Sequence, residues 1–484
     1  MTVEESNRPG ARPRPGLVFA VVACAVGMSN LDLFVVNVAL PAIGRHYDGS
    51  SLATLSWVLN GYAIAFAALL VPFGRVADRV GRRSGFLIGT AVFTLASAGC
   101  AVSPTVGWLI TARVIQAGGA AMLVPTSLAL LMAATPAERR PPIVRAWTAV
   151  GGAAAAIGPV VGGLLTQLDW RWVFLINVPV GLACLALGPR VLPRIGTSPE
   201  ARLPDPVSTL LLVLTISLMA FALVKADDWG WGSRDFVLTA VGTVLAAALL
   251  AWRSAKHPAP VLEISLLRIS GFAGATVAVT LFTVGFAVML LSVVLWCQQV
   301  WGYSALMTGL AVAPGPVMVP LLTLAVGPLT KRLGSPGRVA ALGTLLFAAG
   351  LGWWAVVVSS TTRDYWGQVL PGMVLTGIGV GLALPALIAT AATVLPGNRF
   401  ATGTGVIQMA RQIGSVVGVA MLVTILGSDT NLTGAALGHF RAGWLAGAGV
   451  CVVAALIALR PPRRAEAAPA PEPAARDSVV ESTS

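Results

Sequence analysis

Long apolar runs separated by short polar connections dominate this chain from Gly16 onward. A helix needs about 20 apolar residues to cross the bilayer core. Fourteen such runs begin near residues 17, 51, 85, 106, 143, 172, 206, 235, 270, 304, 339, 366, 401 and 440. The pattern predicts an all-α polytopic membrane protein with 14 transmembrane helices. The short connections predict a compact bundle.

Composition supports this reading. The 484 residues are 56% hydrophobic and 11% charged, against about 25% charged in soluble domains. A mean hydropathy of +0.83 excludes a soluble protein with one anchor. The first apolar run is too long for the apolar part of a signal peptide and leads into further spans. The net charge of +13 points to topology rather than nucleic acid, because the basic residues sit in short connections. With a cytoplasmic N-terminus, 24 of the 32 Lys and Arg fall on the cytoplasmic side and six opposite, leaving Arg113 and Arg411 inside spans. Both termini are therefore expected in the cytoplasm of a bacterial cell, the bacterial origin resting on an Arg and Ala/Gly excess. The five Cys fall in apolar runs without a CxxC pair, and the three His are far apart. Neither a disulfide framework nor a metal site is indicated.

One octet recurs. Residues 74–81 read GRVADRVG and residues 327–334 read GPLTKRLG, with Gly, Arg and Gly in the same register. Each copy follows the second span of a six-span half if spans 7 and 8 are an insertion. Two halves around a midplane pathway is a transporter layout.

Asp32 is the sharpest chemical signal. It lies inside span 1, while the other acidic residues fall in connections or tails. A charge at the bilayer centre costs at least about 2.5 kcal/mol, and such residues mark pathways and proton relays. Burial favours the neutral carboxyl and a nearby cation the ionised one, so an acid there can load and release a proton. Arg113, with Gln116 one turn on, is the natural partner. The competing reading is a structural ion pair. Span 5 carries two small-residue lines, Ala154/Gly158/Gly162 and Ala155/Pro159/Gly163, suited to close helix approach. Span 13 places Thr404, Gln408, Arg411, Gln412 and Ser415 on one face, as a cavity lining would. Trp57, Asn60 and Tyr62 in span 2 are further cavity candidates.

Five segments, taken in order, resemble a known family: Leu31–Pro41 in span 1, Gly74–Arg83 after span 2, Arg113–Ala121 in span 4, Gly158–Gly163 in span 5 and Trp170–Gly181 entering span 6. Together they resemble the major facilitator superfamily, and within it the fourteen-span drug:proton antiporters. Phe34 and Ala117 depart from the usual Thr and Gly. The resemblance implies a major facilitator fold of 6+2+6 helices. It divides the chain into a cytoplasmic tail (1–15), a six-helix bundle (16–190), two additional helices (206–252), a second six-helix bundle (270–460) and a disordered cytoplasmic tail (461–484). It implies proton coupling by Asp32 and Arg113, a cytoplasmic gate of Gly74, Asp78, Arg79, Gly81 and Arg82, and an antiporter motif of Gly158, Pro159, Gly162 and Gly163. Lys331 replaces Asp78 in the second octet, so that copy is not expected to latch in the same way. The substrate cavity is expected to include Asn60, Tyr62, Gln116, Gln408, Arg411 and Gln412.

The expected function is proton-coupled export of amphipathic small molecules, as in drug or antibiotic efflux or self-resistance. A proton-coupled importer of a metabolite in the same fold remains the alternative. A membrane enzyme would want acids or His clustered at one membrane face, and the sequence offers no such cluster. No ATP-binding loop is evident, so the proton gradient is the expected energy source, with no cofactor. The expected partners are substrate, protons and lipid, with the chain acting as a monomer.

Overall fold

The computed structural model describes residues 15–47, 50–195, 203–395, 400–427 and 436–460. The expected disordered tail 461–484 and nearly all of the tail 1–15 lie outside the described residues. Among those described are fourteen helices long and apolar enough to cross a membrane. They are α1 (Pro15–His46), α2 (Leu52–Val80), α3 (Arg82–Ala101), α4 (Val106–Ala134), α5 (Pro142–Leu168), α6 (Trp172–Val191) and α7 (Pro206–Ala226). The remaining seven are α8 (Arg234–Lys256), α9 (Gly271–Val300), α10 (Ala305–Leu333), α11 (Pro336–Val357), α12 (Tyr365–Ala391), α13 (Thr402–Leu426) and α14 (Leu437–Ala458). Each starts within 3 residues of its expected position.

Short polar side chains start many of these helices. Ser51, Thr105, Ser233, Ser304 and Ser335 each accept a hydrogen bond from a backbone N–H three residues on, satisfying a donor the helix leaves free. Four helices are irregular. α6 is interrupted at Ile176, α10 is interrupted at Ala313 before Pro314, α9 ends in a π turn over Trp296–Val300, and α12 opens with one over Tyr365–Val369.

The segment expected as the Gly74–Arg83 loop is helical apart from one residue. α2 runs through Val80, α3 starts at Arg82, and Gly81 alone makes the turn with φ of 92°. The second octet makes a similar corner with two residues, α10 running to Leu333, Gly334 taking φ of 79° and Ser335 capping α11. Side chains rarely adopt positive φ, which glycine tolerates. The sequence repeat is thus a repeated helix–glycine–helix corner.

Within the first six helices α3 packs on α4, α2 on α4 and α1 on α5. In the last six, α11 packs on α12 and α14, and α9 on α13 and α14. The α7–α8 hairpin packs through α7 against α2 and α13. At its Asp205 end the hairpin is tied by Arg253, which donates to both carboxylate oxygens of Asp205.

The two sets of six meet along α2 and α13, where a methyl group on Gly405 would lie 3.7 Å from Val71, and through α5 and α10 at the Ser304 end. Gln298 Nε2 of α9 donates to the Val38 carbonyl of α1 at 2.9 Å, and Gln167 Nε2 lies 3.4 Å from Ser304 Oγ. A methyl group on Gly163 of α5 would lie 2.8 Å from Leu306 Cα of α10. At the Gly81 end the same two helices diverge. Beyond Gly315 no residue of α10 is buried, and a methyl group on Gly152 or Gly327 would have nothing within 4 Å. The molecule is closed between α5 and α10 at one end and open between them at the other.

Candidate functional site

Asp32 lies in the middle of α1 and is 1% exposed. Each carboxylate oxygen has a partner. Oδ2 forms an ion pair with Arg113 Nη1. Oδ1 accepts from Gln116 Nε2 at 3.0 Å and from Asn177 Nδ2 at 3.1 Å. Arg113 also donates to Gln116 Oε1 at 2.6 Å and to the Val58 carbonyl at 3.3 Å. Ser97 Oγ sits below both amides, 2.7 Å from Gln116 Nε2 and 3.4 Å from Asn177 Nδ2. The guanidinium lies flat against Tyr62, with 4.2 Å from Cζ to the ring centroid. Five helices, α1, α2, α3, α4 and α6, thus converge on one carboxylate.

In every hydrogen bond described at Asp32 the carboxylate is the acceptor. A buried ion pair repays its desolvation only when the remaining lone pairs and N–H groups are satisfied, and two amides and a carbonyl do that here. The exception is Asn177 Oδ1, which is buried with no hydrogen-bond partner among the described residues. It is an idle acceptor beside the acid. Asn177 opens the second segment of α6, immediately past the interruption at Ile176, and this places its amide against α1. The sequence reading assigned no site role to Asn177 or Ser97. An amide followed by Pro179 within an apolar run was the available signal.

The α5 glycines divide between two neighbours. Methyl groups on Gly158 and Gly162 would meet Phe34 Cβ at 2.6 Å and Val35 Cα at 2.9 Å, next to Asp32 on α1. Pro159 and Gly163 instead face α10 at Gly309 and Ala305. The two lines thus make different close approaches: the first seats α5 on α1, and the second packs against α10 of the opposite half. At the Gly81 corner, Asp78 Oδ1 accepts from Arg82 Nε at 2.9 Å, so this contact stays within one corner. Gly74 and Arg79 lie in the last two turns of α2.

The cavity candidates separate into two groups. Asn60, Tyr62 and Gln116 are all buried, at 1%, 1% and 0% exposure. Tyr62 and Gln116 are engaged by Arg113 and Asp32, so they belong to the acid's surroundings rather than to an open wall. Both amide atoms of Asn60 lack a partner among the described residues. Trp57 packs on Phe221 of α7, with ring centroids 6.3 Å apart. On α13, Thr404, Gln408, Arg411, Gln412 and Ser415 are all half-buried. The faces on either side of them are packed: Met409, Ile413 and Val416 join the cluster with α2 and α7, and Gly414 and Gly418 lie against α9. The polar stripe therefore faces away from the α7–α8 hairpin, into the space between the two sets of six. Arg411 Nη1 donates to Gln408 Oε1 at 2.7 Å. Among the described residues Arg411 has no ion pair.

The sequence profile described as Major Facilitator Superfamily matches residues 22–419 and 277–483. The chain is 32% identical over 439 residues to the methylenomycin A resistance protein of Streptomyces coelicolor, covering 90% of this chain and 91% of that relative. It is 32% identical to the tetracenomycin C resistance and export protein of Streptomyces glaucescens, covering 88% and 78%. It is also 32% identical to the multidrug resistance protein Stp of Mycobacterium tuberculosis, covering 86% and 77%. Among solved structures, a POT peptide transporter in complex with sulfate superposes with a TM-score of 0.66 at 16% identity, covering 92% of this chain and 94% of that one. A bacterial homologue of the human lysosomal transporter Spinster gives 0.64 at 14%, covering 93% and 97%. At these identities the two structures speak to the fold.

Proposed function

We propose that this chain, which belongs to the Major Facilitator Superfamily, exports amphipathic small molecules in exchange for protons, as a drug or antibiotic efflux transporter. Names of resistance and export among its relatives support the direction of transport. The observation that carries proton coupling is Asp32, a carboxylate in mid-span that pairs with Arg113 and accepts hydrogen bonds from Gln116 and Asn177. The Gly81 end carries the basic residues Arg75, Arg79, Arg82 and Arg83, and the positive-inside bias assigns it to the cytoplasm, with both termini. The α5–α10 seam is then closed outside and open inside, as suits loading of cargo from the cytoplasm. Proton arrival at Asp32 loosens its hold on Arg113 and lets α1 and α4 shift. Asp78 and the Gly81 corner act as the cytoplasmic gate when the halves rock, and Gly163 and Pro159 keep the outer seam tight. The chain works as a monomer, without a cofactor, on the proton gradient alone.

The test is a pump-deficient bacterial host carrying wild type or Asp32→Asn, with membrane levels matched by immunoblot. Wild type is expected to raise resistance to an amphipathic antibiotic and to release protons from inverted vesicles when substrate is added. Asp32→Asn is expected to do neither. Undiminished efflux by the variant would sink the coupling assignment.

A further inference from the structure

The mechanism above leaves one intramembrane charge without a use. Arg411 stands near the middle of the 25-residue α13. Among the described residues no acid pairs with it, and its one hydrogen-bond acceptor is the neutral Gln408 amide. Asp32, the carboxylate at mid-span, is taken up by Arg113. An unpaired guanidinium in a span is costly, and such groups face a cavity or a partner. In the open state water reaches the half-buried side chain. Once the halves close around cargo that water is excluded, and the cation needs an anion.

We propose that Arg411 is the recognition site for a carboxylate group on the cargo, resting on the export reading above. The planar guanidinium matches a carboxylate through two parallel N–H···O bonds, a geometry that a lysine or an amide does not reproduce. Gln408 fixes the guanidinium from the side by accepting from Nη1 and leaves its other N–H groups for the ligand. Gln412 and Ser415, on the same stripe, are placed to bond further oxygens of an amphipathic acid. The apolar body of the cargo lies between the two sets of six, and its carboxylate marks which end faces α13. Coupling and cargo recognition are thereby divided, with the proton acid in the first half and the cargo's counter-charge in the second.

Three dyes test this in the pump-deficient host: carboxyfluorescein loaded as its ester, uncharged Nile red, and cationic ethidium. Wild type is expected to lower carboxyfluorescein accumulation several-fold more than that of ethidium. Arg411→Gln removes at least tenfold of the carboxyfluorescein export rate and spares Nile red. Arg411→Lys restores part of it, because the charge returns without the fork. Arg411→Glu reverses the preference in favour of ethidium, a gain that a misfolded protein cannot show. Carboxyfluorescein export by Arg411→Gln at the wild-type rate, or a wild-type preference for ethidium, overturns the anion site while leaving the efflux reading intact. Export of none of the three dyes by wild type counts against the efflux reading itself.

Discussion

The two halves of this molecule fill their interiors with opposite materials. The first six helices close on a polar knot, Asp32, Arg113, Gln116, Ser97 and Asn177, all at most 1% exposed. The last six close on rings. Trp296 contacts Trp301, Phe440 and Trp444, with centroids 5.1–6.4 Å apart, and Trp354 lies 6.0 Å from Trp444. Their N–H groups are mostly parked on local acceptors, Trp444 on Ser292 and Trp354 on the Val369 carbonyl. Aromatic edge-to-face contacts contribute about 0.5–1.5 kcal/mol each beyond burial and do not respond to pH. A buried carboxylate with a counter-cation does. On the function proposed above, the half that holds Asp32 senses the proton, while the ring-packed half presents Arg411 to the cargo.

The harshest way to break this contrast is Arg113→Leu. It leaves Asp32 buried with its cation gone, and orphaning one partner of a buried pair costs about 3–5 kcal/mol. The expected result is a sharp loss of membrane protein and no measurable export. The double variant Asp32→Asn/Arg113→Leu should recover much of the protein level, because no lone charge remains, and still fail to couple export to protons. Detergent-extracted yield and proton release in vesicles read the two effects separately. Recovery of coupling in the double variant would erase the distinction between the halves.

Much of this was legible before the structure. Fourteen spans and their starts followed from hydropathy, and the Asp32–Arg113 pair from two charges in an otherwise apolar half. The largest offsets, at α3, α11 and α14, arise because hydropathy sees the apolar core of a helix and not its polar first turn. Arg82, Arg83 and Arg338 were read as connection yet sit inside helices. The octet repeat was legible as Gly-x-x-x-x-Arg-x-Gly, but the single-residue corner at Gly81 and the two-residue corner at Gly334 were not, since helix on both sides depends on packing. Asn177 was missed for a different reason. Its contact with Asp32 spans 145 residues of sequence, and only the interruption of α6 aims the amide at α1. Tyr62 and Gln116 were read as cavity wall and lie instead around the Asp32–Arg113 pair, because a polar side chain in a span reads the same whether it faces a cavity or a buried ion.

Asn177 gives a milder way to sharpen the comparison. Asn177→Ala removes one of the two amides donating to Asp32 Oδ1, an interaction of about 1.5–3 kcal/mol for a charged acceptor, partly offset by water or by Gln116. Proton release from inverted vesicles on substrate addition should therefore fall several-fold at matched membrane level. Asn177→Leu should behave alike. A loss of coupling no larger than the loss of membrane protein would make Asn177 a packing residue only.

The smallest effect is expected at a third Asp–Arg pair that serves as a control. Asp205 caps α7, accepting from the Val207 and Ser208 N–H groups and from Ser208 Oγ, and pairs with Arg253 of α8. The Arg253 guanidinium, then the Ser208 hydroxyl and the two backbone N–H groups, hold its carboxyl well below the usual carboxylate range against the opposing pull of burial. A lowered folded-state value means the pair's stabilisation is complete above the unfolded Asp value of about 3.9. It is lost as pH falls below that value through the folded one. Asp205→Asn keeps a capping oxygen and loses the charge, so the melting temperature should drop by no more than about 2–4 °C at neutral pH. The gap from wild type should shrink as pH is lowered below 4. Export and its pH profile should stay within about twofold of wild type, because this pair lies at the linker hairpin, away from Asp32 and from the α13 stripe. An ion pair that only fastens helices changes stability and leaves coupling alone, whereas one that carries a proton must change both.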